Sequence, residues 1–190
     1  DKTKDILIRV ATKGAVQLPL ILQTPKALLE RNLRESTLFG IYYGFILIMI
    51  IYNIALFVFS KEASFIVYVV YIAFLSVLQM TLSGNAILWL WPNSPSWNVN
   101  STVVFAGGTF LSLAVFTGVY FWEYLQRNLQ FRILLAIICV ACLSLSLGGF
   151  LYYGPMVVRF TGVMGALTPV LIFGISLWSA RHVESGKYFV

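Results

Sequence analysis

Charge is scarce in this chain, and its absence excludes more than its presence suggests. Asp, Glu, Lys and Arg make up 11% of the 190 residues, against about 25% in soluble domains. None of them, and no His, falls near the middle of any long apolar run. Proton relays and ion-coupled transporters place ionisable groups there, so both are disfavoured. The single histidine, His182, leaves no imidazole cluster for a metal. No GxSxG or HExxH occurs, so no catalytic, cofactor-binding or metal-ligating residue is assigned, and no cofactor is expected. The two cysteines, Cys139 and Cys142, are too few for a disulfide framework. They read CVAC inside an apolar run. With no basic neighbour or helix N-terminus to lower a thiol pKa, they read as small packing residues. The net charge of +6 comes from residues scattered over a polar N-terminal stretch and short connections. A nucleic-acid footprint needs clustering on one face, so no nucleic-acid partner is expected.

What the chain has is oil. Hydrophobic residues form 59% of it. Five long apolar runs lie near 38–59, 64–90, 102–122, 133–152 and 156–180. A bilayer core about 30 Å thick needs about 20 apolar residues in helical form. Inside lipid, at these lengths, only helices satisfy every backbone polar group. The expected fold is an all-α helical membrane bundle of at least five spans, with the lipid bilayer as its principal partner. The run opening at Lys187–Val190 reads as the start of a sixth span, so a longer polypeptide is expected.

Basic residues in the loops give orientation. Connections after the first, third and fifth runs carry Lys61, then Arg127 and Arg132, then Arg181 and Lys187. Those after the second and fourth carry only Arg159. The odd loops are therefore expected in the cytoplasm and the N-terminus outside. The outer loop reads WLWPNSPSW, and Trp89, Trp91 and Trp97 suit the headgroup layer. A ligand platform is the sharper reading of the same three rings.

Residues 1–24 read as the last strands of an extracellular β-domain. Alternation in DILIRVA and VQLPLIL, joined at Lys13-Gly14, predicts a short β-hairpin over 5–22. A lone hairpin is marginal in water, so it implies a larger domain. Thr24-Pro25 is a strong helix start. The stretch 25–37 reads as a polar juxtamembrane helix, with Glu30 and Arg34 paired four apart. No breaker separates it from the first span, so it is either a rigid rod that carries displacement inward or only a connector.

Lipid is as apolar as Leu, so span contacts depend on close approach at small residues. Gly40 and Gly44, Gly108 and Ser112, and Gly162 and Ala166 share the four-residue spacing. They read as helix-packing sites, with a homodimer contact as the sharper alternative. On this reading Leu at Gly44 would force the first span off its neighbour. Asn53, Gln79 and Asn85 are the intramembrane polar residues, each expected to need an interhelical partner or water.

Leu38–Ser60 and Tyr68–Pro92 resemble the first two spans of bacterial seven-transmembrane receptors with diverse intracellular signalling modules, the DISM receptors. The resemblance rests on Tyr43-Gly44, Tyr52-Asn53, Tyr68 and Tyr71, and the segment from Gly84-Asn85 to Trp91-Pro92, and covers about 34–190. It implies a sensor of the bacterial inner membrane. An extracellular jelly-roll domain similar to carbohydrate-binding modules would take a small ligand. A cytoplasmic signalling domain of the same chain, such as a histidine kinase of a two-component system or a diguanylate cyclase, would respond. A transporter or channel fragment is the alternative, disfavoured by spans that lack a polar lining.

Overall fold

A computed structural model describes residues 24–151 and 154–187. The hairpin expected at 5–22 lies outside them, as do residues 188–190, where the sixth span was placed. The described residues form helices and turns in the order α1 (Pro25–Ser60), α2 (Ala63–Leu82), α3 (Asn85–Trp89), α4 (Pro95–Tyr120), α5 (Trp122–Arg127), α6 (Leu129–Leu151) and α7 (Pro155–Lys187). Five stretches are long and apolar enough to cross a bilayer: α1, α2, Asn100–Tyr120 of α4, α6, and Met156–Gly174 of α7. The protein is an all-α membrane bundle.

Helix α1 begins where its capping chemistry dictates. Thr24 accepts a hydrogen bond from the Ala27 amide at 3.3 Å, and Pro25 occupies the first turn. Nothing interrupts the 36 residues that follow, which span roughly 54 Å at the α-helical rise. A bilayer core accounts for only about 30 Å of that length, so α1 carries both the juxtamembrane segment and the first span. Its polar end is laced by Arg31–Glu35 at 2.7 Å and Lys26–Glu30 at 4.0 Å. The expected Glu30–Arg34 pair is not among them; each acid instead meets the base on its other partner position, four residues before it in both cases. Lys61 closes α1 in the left-handed conformation, its amide bonded to the Phe57 carbonyl.

The second apolar run is not one helix. Ser83 ends α2, and Gly84 at φ 76° turns the chain before α3 starts at Asn85. Hydropathy reads through a single glycine; backbone geometry does not, because positive φ is costly for any residue with a Cβ. The third run also differs from expectation. Helix α4 starts at Pro95, well before 102, and α5 follows a break at Phe121.

Helix α4 is the hub. It packs between α2 and α6; α7 lies against α4 and α6, while α1 packs on α2. Half of the apolar window of α4 is buried, against 6% of that of α1. The core gathers Ala114, Leu125, Leu135, Ile138, Cys142 and Ile172, from α4, α5, α6 and α7.

Candidate functional site

No catalytic constellation was expected, so the functional question is which helix contacts are fixed and which are free to move. The fixed seam runs along α4. A Cβ added to Gly107 would lie 2.7 Å from the Ser146 nitrogen, 2.9 Å from its Cα and 3.0 Å from the Cys142 carbonyl oxygen. Backbone therefore meets backbone between α4 and α6. The Ser146 hydroxyl donates to the Val104 carbonyl at 3.1 Å, across the same contact. One turn further along, Gly149 faces Val103 and Val104, where a Cβ would meet methyl groups at 3.0 Å. Close approach of this kind is what lipid-embedded helices use for attraction.

The predicted packing residues divide sharply. Gly108 faces the Phe74 ring, which a Cβ would meet at 2.5 Å, and Ser112 is buried with its hydroxyl bonded to the Gly108 carbonyl. Gly40, Gly44 and Gly162 have nothing within 4 Å of an added Cβ. Ala166 is exposed on α7. Among the described helices Gly40, Gly44 and Gly162 have no close neighbour, so spacing alone does not place a contact at those three. Four-residue spacing selects a face; it does not say whether a neighbour stands on it. Gly107, Gly149, Gly118 (against Leu135 at 3.0 Å) and Gly165 (against Phe110 at 3.1 Å) are the close-contact glycines that spacing missed. The paired glycines at 107–108 and 148–149 were the available signal.

The two asparagines among the intramembrane polar residues find local partners. Asn53 is the one buried residue of α1, and its Nδ2 donates to the Met49 carbonyl of its own helix at 2.8 Å. Asn85 Nδ2 donates to the Ser83 hydroxyl at 3.2 Å, bracing the Gly84 turn. Gln79 is exposed on α2. Neither asparagine turns to another described helix; Asn53 is served by its own helix because helix carbonyls keep a second lone pair that a nearby side chain can reach. The hydroxyls of α4 follow the same rule: Ser101, Thr109 and Thr117 donate to the carbonyls of Asn98, Phe105 and Leu113. Cys142 is fully buried in the core and Cys139 half-buried.

The three tryptophans do not form one platform. Trp91 stacks on Phe105 with centroids 6.0 Å apart and planes 7° from parallel, and its indole N–H donates to Asn98 Oδ1 at 3.2 Å. Trp97 packs on Phe150 of α6 at 5.1 Å. Trp89 is 78% exposed at the end of α3. Two of the three rings thus hold the α3–α4 connection and the start of α4 against the spans.

The contrast that remains is between α1, a long helix packed on α2, and the α2–α4–α6 stack, in which α4 and α6 meet backbone to backbone. Comparison with curated proteins and with solved structures gives no significant match. A family model described as 7TM diverse intracellular signalling matches residues 35–190. That match covers all five membrane-spanning stretches except the polar end of α1, and the chain belongs to the 7TM diverse intracellular signalling family.

Proposed function

We propose that this chain is the signal-transmitting membrane region of a bacterial inner-membrane receptor, with its N-terminus outside. In this reading a small extracellular ligand, a carbohydrate among the candidates, acts through a β-domain that includes residues 1–24. A cytoplasmic module of the same polypeptide, a histidine kinase or a diguanylate cyclase, responds. The observation that carries the reading is the unbroken helix Pro25–Ser60, which runs from a polar end into the first span without a hinge.

The packing supports a moving α1. Displacing a helix costs the contacts it makes, and α1 buries the least of the five spans. The α4 seam resists the same motion, because interlocked backbones have no intermediate arrangement. A tilt or slide of α1 over α2 would therefore leave the rest of the bundle intact. Allostery requires two states with different affinities for the ligand; this contact is where they would differ.

The test uses the full-length receptor in membrane vesicles and reads the basal activity of its cytoplasmic output. A Gly–Ser pair inserted after Asn32 breaks the rod and is expected to change that output. Seven helix-forming residues inserted at the same place restore the phase of the helix, since two turns take about 7.2 residues, and are expected to restore wild-type output. Unchanged output with the Gly–Ser pair removes the rod. Orientation is checked separately by thiol labelling of intact cells: Asn93→Cys is expected to react with an impermeant reagent and Ser60→Cys to remain protected. The reverse pattern inverts the proposed topology.

A further inference from the structure

An open groove of about 350 Å³ lies between the end of α6 and the beginning of α7, lined by Ser144, Leu145, Gly148, Met156, Val157 and Phe160. Its volume is at the lower end of the ~300–1,000 Å³ of small-molecule sites. The lining is apolar apart from one hydroxyl. That hydroxyl, on Ser144, already donates to the Ala141 carbonyl at 2.8 Å. The groove therefore offers nothing to a polar group inside it and suits a hydrocarbon chain.

A charged residue neighbours the lining in sequence. Arg159 sits on α7 between the lining residues Met156 and Phe160 and is exposed. It is four residues beyond Pro155, at the membrane-surface end of the span. A long basic side chain at this depth reaches toward the headgroup layer. No Asp or Glu occurs between Glu123 and Glu184, nor between Glu62 and Glu123. The acids Glu30 and Glu35 are on α1, which packs on α2, and each already has a basic partner on α1. Among the described residues Arg159 forms no ion pair, and the positive end of the α7 helix dipole adds to its field.

We propose that this groove is a binding site for an anionic phospholipid, one acyl chain in the groove and the phosphate on Arg159. An apolar slot beside a cation that forms no ion pair among the described residues matches the two halves of such a lipid. The guanidinium holds phosphate through paired charge-assisted hydrogen bonds. Basic groups beside apolar clefts between spans bind lipid headgroups, and here a single guanidinium supplies the charge. The assignment does not depend on which side of the membrane this end faces.

The test is native mass spectrometry of the full-length receptor, titrated with phosphatidylglycerol or phosphatidylcholine of the same acyl chains. Wild type is expected to retain phosphatidylglycerol in preference to phosphatidylcholine. Arg159→Gln is expected to lower that preference about tenfold, the order of a charge-assisted contact. Gly148→Phe fills the groove and is expected to reduce retention of both lipids. Gly148 has nothing within 4 Å of an added Cβ and Arg159 is exposed, so both variants are expected to keep wild-type thermal stability. Equal retention of the two lipids by wild type overturns the proposal, as does an unchanged preference in Arg159→Gln. Undiminished retention in Gly148→Phe places the chain elsewhere and overturns it too; that result would follow if a further span of the receptor occupied the groove.

Discussion

Replacing Gly107 by leucine is expected to prevent the bundle from assembling, and replacing it by alanine to cost about 2 kcal/mol. The reason is the identity of the atoms in the way. At Gly108 an added Cβ meets the ring of Phe74, a side chain that can rotate; at Gly107 it meets the nitrogen and Cα of Ser146, which cannot. Relief requires α4 and α6 to separate. Separation would lengthen the 3.1 Å bond from the Ser146 hydroxyl to the Val104 carbonyl and open the contact of Gly149 with Val103 and Val104. The readouts are monodispersity in detergent and thermal unfolding of the purified protein. The matched control is Gly44→Leu, expected to be stable because nothing stands within 4 Å of that position. Wild-type stability of Gly107→Ala would mean that the two helices do not meet there.

Trp91→Ala is expected to lower stability by about 2–3 kcal/mol, less than the ~3–5 kcal/mol of a fully buried tryptophan because the ring is only half-buried. It removes the stack on Phe105 and leaves Asn98 without the indole donor. A drop of roughly 5–10 °C in apparent melting temperature is the corresponding shift for a chain of this size. Trp89→Ala, at a residue 78% exposed, is expected to change stability by no more than about 0.5 kcal/mol. Equal effects of the two substitutions would return the tryptophans to a uniform interfacial belt. The contrast separates anchoring of the loop to the spans from anchoring of the loop to lipid, which a hydropathy plot treats as one thing.

The class of the protein was legible without coordinates. Five apolar runs of membrane length, the absence of midplane charge and the Thr24-Pro25 start are local properties. They follow from solvation and capping within one segment. The break at Gly84 was less visible, because one glycine barely lowers the hydropathy of the run around it. The ion pairs of α1 were misplaced by register: Lys26–Glu30 and Arg31–Glu35 form, whereas spacing alone also allowed Glu30–Arg34.

Which small residues touch a neighbour was decided only by tertiary structure. Gly40 and Gly44 have the more familiar spacing, yet Gly107 and Gly149 carry the contacts. In a soluble protein apolar residues mark the buried face, because water penalises the other one. In a bilayer the lipid-facing and helix-facing sides are equally apolar, so composition names the spans and leaves their order, hub and seam to the packing itself.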